Sequence, residues 1–107
     1  MASTKDYRDF IVGQLNLLDN ITYKPMMGEY LLYYDGLLFG GIYDDRFLVK
    51  RVENNKKFKM EEVIPYTNAK PMYLVDDVDD MDKLKEIVLD TCEGLKKWVN
   101  MIHYGIM

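Results

Sequence analysis

Cysteine, histidine and serine each occur once in these 107 residues, and proline only three times. One thiol closes no intramolecular disulfide, so the fold must rest on burial rather than on covalent staples. Cys92 and His103 fall short of the three or four ligands of a zinc site unless several carboxylates join them. Cys92 also falls on an apolar helical stripe, where a thiol packs as a small hydrophobe, and no second cysteine or histidine completes a nucleophile–base pair. Ser3 lies in a helix-start pattern rather than a nucleophile elbow, which removes serine hydrolase chemistry. No phosphate loop or dinucleotide fingerprint is present, because Gly40-Gly41 lacks the spaced third glycine and does not open a helix. No metal, no cofactor and no catalytic residue is therefore expected, and the chain is expected not to be an enzyme.

Other scarcities bound location and partners. No apolar run approaches the ~18 residues that span a bilayer, so no membrane association is expected. The chain begins with no charged, apolar, small-residue leader, which together with the lone cysteine leads to an expectation of a cytoplasmic protein. Without a leader, the glycosylation-like triplet Asn20-Ile21-Thr22 is a chance match. Positive charge is in deficit, with 14 Lys and Arg against 18 Asp and Glu, and a net charge of -4 opposes whole-surface attraction to nucleic acid.

What is present is apolar and aromatic. Hydrophobic residues make up 49% of the chain and nine tyrosines dominate its aromatics, a composition that buries too much surface to stay disordered. One domain, 1–107, should hide about two thirds of its unfolded surface. Ser3 is placed to cap a helix by accepting from the amide of Asp6, and Tyr7, Phe10, Ile11, Leu15 and Leu18 form its core stripe. Ile21 to Met27 is extended, but Pro25 confines it to an edge or a bulge, and Gly28 turns the chain. Glu29–Tyr34 and Leu37–Tyr43 read as strands around an Asp35-Gly36 type I′ turn, and Asp44-Asp45-Arg46 leads into a third strand, Phe47–Val52. Gly40-Gly41 signals a bulge, or the close approach of a helix or another backbone, with a packed helix favoured. Residues 53–62 read as loop and short helix, Met72–Val75 as a last strand. Met81, Leu84, Val88, Cys92, Leu95, Val99 and Ile102 then repeat as a long helix, with Gly94 a place where it bends or ends.

Three groups of residues invite a functional reading. Asp76, Asp77, Asp79, Asp80 and Asp82 suggest a hard cation, but a calcium loop counted from Asp77 needs glycine at 82 and glutamate at 88, where Asp82 and Val88 stand. Acids preceding a helix also cap it, and that reading is preferred. Arg51, Lys56, Lys57 and Lys59 form the one basic stretch, which supports an alternative reading as a weak direct nucleic-acid binder. Alternation places Tyr30 and Tyr34 on one sheet face and Tyr33 on the other, so helices covering one face leave aromatics on the second. Met26, Met27, Tyr30, Tyr33, Tyr34 and Tyr43 are the protein-interaction candidates, some of them necessarily core. A further alternative is a small-ligand site between helix and sheet.

The ordered set Met26-Met27-Gly28, Tyr33-Tyr34-Asp35-Gly36, Phe39, Asp44-Asp45-Arg46, Leu48 and Lys50, followed by Ile64-Pro65-Tyr66 and Met72-Tyr73, resembles the N-terminal domain of the TfoX/Sxy family. Met27 stands where the family pattern has Phe. The resemblance implies a two-layer α/β (α+β) sandwich, an antiparallel meander with the N- and C-terminal helices on one face, similar to the secretion-chaperone fold. It also implies a bacterial regulatory role, since founding members are co-activators of competence acting with the cyclic-AMP receptor protein at promoters. Those members carry a second, helix-hairpin-helix-like domain, which is expected to be absent here. The expectation is a stand-alone domain acting by protein contact, with transcription machinery or a second copy of itself as partner. The family supplies no catalytic motif.

Overall fold

Thr4, rather than Ser3, starts the first helix: its Oγ1 accepts from the amide of Tyr7 at 3.1 Å, and α1 runs Lys5–Gln14. The described structure, a computed structural model, comprises the backbone of residues 2–105 and the side chains of residues 2–97. Strands follow at Ile21–Met26 (β1), Glu29–Tyr34 (β2), Leu37–Ile42 (β3) and Phe47–Val49 (β4), then a 3-10 helix at Glu53–Phe58. Two short strands, Glu61–Val63 (β5) and Met72–Leu74 (β6), precede α2, Met81–Gly105. All six strands form one antiparallel sheet in the order β1-β2-β3-β4-β6-β5. β1, which holds Pro25, is an edge strand, as the missing amide requires.

The meander is built on three two-residue turns. Met27-Gly28, Asp35-Gly36 and Asp44-Asp45 all have positive φ at both positions, the geometry whose twist matches that of the flanking strands. β3 carries a bulge: Leu32 pairs with Gly40 but Tyr33 with Leu38, so Phe39 is the extra residue.

Ile11 of α1 and Leu84, Ile87, Val88 and Cys92 of α2 pack against one sheet face, formed by Tyr30, Leu32, Phe39, Phe47, Val49 and Tyr73. Leu15 and Leu18 join this core from the turn after α1, whereas Phe10 is 40% exposed and lies outside it. Of the readings open for the paired glycines, the structure shows a bulge beside Gly40 and a close strand backbone. A Cβ on Gly40 would stand 2.2 Å from the carbonyl oxygen of Leu48, so the close neighbour is the β4 backbone. The helix makes its own close approach at Gly94, where a Cβ would fall 2.7 Å from Val52, and α2 continues through that residue. The expected stripe positions Val99 and Ile102 and the side chain of His103 lie outside the described residues.

Candidate functional site

The second sheet face is apolar at its centre, with Lys24 and Glu61 in the same row on the outer strands, and α2 reaches it only at one end, through Gly94, Leu95 and Lys97. By register, Leu31 lies beside Gly41, Leu48 and Leu74, while Tyr33 lies beside Leu38. Residues 64–71 cross this face as a strap. Arg46 staples it: Nη2 donates to the carbonyls of Ile64 and Pro65, each at 3.4 Å, while Nε donates to the carbonyl of Tyr43. Tyr66 of the strap packs its ring 6.0 Å from that of Tyr43. Leu48 is wholly buried although it stands outside the helix-side core, which shows that strap and sheet close over part of this face.

Between strap and sheet runs a cleft of about 1000 Å³. Leu31 and Leu38 contribute from the sheet, Met26 and Tyr43 from its hairpin end, and Pro65, Ala69, Pro71 and Met72 from the strap and β6. At the other end stand Lys50, Arg51, Lys70 and Lys97. A small-molecule site was expected between helix and sheet; the cavity lies mainly between strap and sheet, with Gly94, Leu95 and Lys97 of α2 lining one end, while the rest of the helix-facing side is filled by the core. Nothing in the sequence marked it, since a strap is recognised only once it folds back over a sheet.

The six aromatic and methionine candidates separate. Tyr30 is 8% exposed on the helix side, under the guanidinium of Arg8, which stacks over the rings of Tyr23 and Tyr30 at 4.9 and 5.2 Å. Tyr34 packs against the same core. Tyr43 is buried beneath the strap, and that burial pushes its phenol pKa up, with Tyr66 and Glu29 adding to the effect. Tyr30 and Tyr43 are therefore withdrawn from contact. Met26 and Tyr33 are half-buried on the second face, and Met27 is 98% exposed at the β1–β2 turn.

That turn is braced by residues the sequence had assigned elsewhere. Ser3 is buried; its amide donates to the carbonyl of Gly28 and its hydroxyl donates to Glu29 Oε1 at 2.7 Å. The same hydroxyl accepts from the amide of Asp45 at 3.0 Å, and the Glu29 carboxylate accepts from the amide of Asp44. Residues 3–4 thereby lace the Met27-Gly28 and Asp44-Asp45 turns together.

The charged candidates have mostly internal partners. Arg51 pairs with Glu62 at 2.9 Å, Lys56 with Glu53 at 2.8 Å and Lys57 with Asp90 at 2.9 Å. Lys59, exposed, ends the 3-10 helix in a left-handed conformation. In the aspartate run, Asp80 Oδ1 accepts from the amide of Lys83 at the start of α2, and Asp77 pairs with Lys83 Nζ. These carboxylates cap and anchor the helix. Cys92 is 2% exposed, and burial pushes its thiol up to about 11, which keeps it protonated at neutral pH.

This arrangement defines a class: a two-layer domain whose antiparallel sheet has one face closed by helices and the other, apolar and strapped, turned outward. Residues 13–101 match the model of the TfoX N-terminal domain, and the chain belongs to that family. It is also 30% identical over 98 residues to a protein of Spirochaeta aurantia described as an "uncharacterized 12.7 kDa protein in trpE 5'region", with 89% of this chain and 85% of that one covered. No helix among the described residues is long and apolar enough to cross a membrane.

Proposed function

We infer that this chain is a non-enzymatic regulatory domain that acts by protein contact in the cytoplasm, with a component of the transcription machinery as its partner. The observation that carries this reading is Met27. It is 98% exposed and holds φ at 51°, so it adds nothing to the core and stands in a backbone region unfavourable to a side chain. Methionine is a soft, adaptable contact residue, and this one is presented on a turn that Ser3 and Glu29 hold in place. Membership of the TfoX N-terminal domain family supports the regulatory part of the reading. The internal ion pairs of Arg51, Lys56 and Lys57 favour protein over nucleic acid as the partner.

The test is a quantitative pull-down from the native extract after nuclease treatment, comparing wild type with Met27→Glu and Tyr33→Ala. RNA polymerase or a promoter-bound regulator enriched by wild type and lost from both variants is the expected result. Equal recovery by all three proteins, or recovery that disappears with nuclease, would overturn the reading.

A further inference from the structure

The strapped cleft has the size and polarity of a small-molecule site rather than of a packing defect. Its volume of about 1000 Å³ lies at the upper end of ordinary ligand pockets, which are mainly apolar with a few polar groups that fix orientation. A strongly polar ligand would lose its hydration against Leu31, Leu38 and Met72 with little in return. Charge is confined to one end. β4 pairs with β6 at Val49 and Tyr73, which sets Lys50 at the same end of the strands as Lys70. Gly94 against Val52 brings the following turn of α2, with Lys97, to that end.

The sign of this end is opposite to that of the chain. The whole protein carries a net charge of -4, yet the cleft is lined by four cations and a single acid, Glu53, which is already paired with Lys56. Arg51 is held by Glu62, whereas Lys50, Lys70 and Lys97 form no ion pair among the described residues. An apolar trough ending in uncommitted ammonium groups complements a molecule with one long apolar chain and one anionic end.

We propose that the cleft between the sheet and strap 64–71 binds a free long-chain carboxylate, its alkyl chain along Leu31, Leu38 and Met72 and its carboxylate at Lys50, Lys70 and Lys97. The proposal stands on the geometry of the cleft and is independent of the protein-contact reading. Ala69, half-buried on the strap, faces the cleft and is the position from which a larger side chain fills it.

The experiment is calorimetric titration of the full chain with octanoate, decanoate and dodecanoate, each below its micelle-forming concentration. Saturable binding that tightens about four-fold for each added methylene is expected, as for transfer of an alkyl chain out of water. Dodecanoate methyl ester should bind about five-fold more weakly, as should dodecanoate to Lys70→Glu, the effect of one exposed charge pair. Ala69→Trp should abolish saturable binding while keeping the far-ultraviolet dichroism of the wild type. If Ala69→Trp does not fold, Lys50→Glu and Lys70→Glu carry the test. No saturable binding by wild type, no dependence on chain length, equal affinity for the ester, or unchanged binding by folded Ala69→Trp would each overturn the proposal.

Discussion

The side-chain amide of Asn55 donates to Thr91 Oγ1 across 2.9 Å of wholly buried space, tying the 3-10 helix to α2. The same amide donates to the carbonyl of Lys50, Asn55 Oδ1 accepts from the amide of Val52, and Thr91 Oγ1 donates to the carbonyl of Ile87. Every polar atom of the Asn55 side chain is thus engaged, and this knot holds the segment that leaves β4 and forms the basic end of the cleft.

Replacing Asn55 by leucine should lower stability by about 2–3 kcal/mol, because the partner groups are left unsatisfied in the interior. Thr91→Val should cost about 1–2 kcal/mol by stranding the Asn55 amide. In urea unfolding the double variant should show a coupling of about 1 kcal/mol between the two sites. Strict additivity would show that the contact contributes nothing of its own.

Two helical glycines should respond in opposite directions to the same substitution. Gly13 has open space where a Cβ would stand, so Gly13→Ala in α1 should stabilise by about 1 kcal/mol through helix propensity. Gly94→Ala gains the same propensity but drives a methyl to 2.7 Å from Val52, and overpacking of about 1–3 kcal/mol should win. Thermal melts of the two variants on either side of the wild type would bear this out; two upward shifts would refute the close approach of α2 to Val52.

Cys92 should resist alkylation in the folded protein at neutral pH and react on unfolding. Its folded pKa is raised from the ordinary 9.0 to about 11, with desolvation the first cause and Lys96 opposing it. The buried thiol therefore contributes stability that is intact below about pH 9, falls as the unfolded thiol ionises and is lost by about pH 11. Urea midpoints of wild type should drop between about pH 8 and 10.5 by more than those of Cys92→Ala. Parallel pH dependences would contradict the assignment.

Ser3→Ala should cost about 1–2 kcal/mol, since it strands the Asp45 amide and removes a hydroxyl from Glu29. Hydrogen exchange at the Asp45 amide should accelerate in this variant, while exchange within the α2 core stays as in wild type. Thr4→Ala, by removing the cap on Tyr7, should instead loosen the first turn of α1.

Much of this molecule is legible in its sequence alone, and the reason is locality. Asp35-Gly36 announces a hairpin because positive φ at two successive positions is a property of those residues alone, and Pro25 places β1 at an edge because a missing amide cannot be supplied from elsewhere. The 3.6-residue spacing of Leu84, Val88 and Cys92 identified the buried side of α2 for the same reason. Assigning the N-cap to Ser3 rather than Thr4 was an error of one position, because two adjacent hydroxyl residues offer the same local chemistry and only Glu29 and Asp45 decide between them.

The rest depended on partners distant in sequence. β5 has three residues, two of them exposed glutamates, and becomes a strand only because β6 lies beside it. Asn55 reads as one more polar residue of a loop until Thr91, 36 positions away, closes over it. Tyr30, Tyr33 and Tyr43 are indistinguishable in type, and their fates diverge because Arg8, a half-covered sheet face and the strap meet them in turn. The sequence by itself determined the two helices, the β2–β3 hairpin, the edge strand and the family, all properties of short range or of ordered motif. Tertiary structure alone decided which aromatics stayed in contact with water and that a strap would enclose an apolar cleft, because burial and enclosure are made by segments that meet only when the chain has folded.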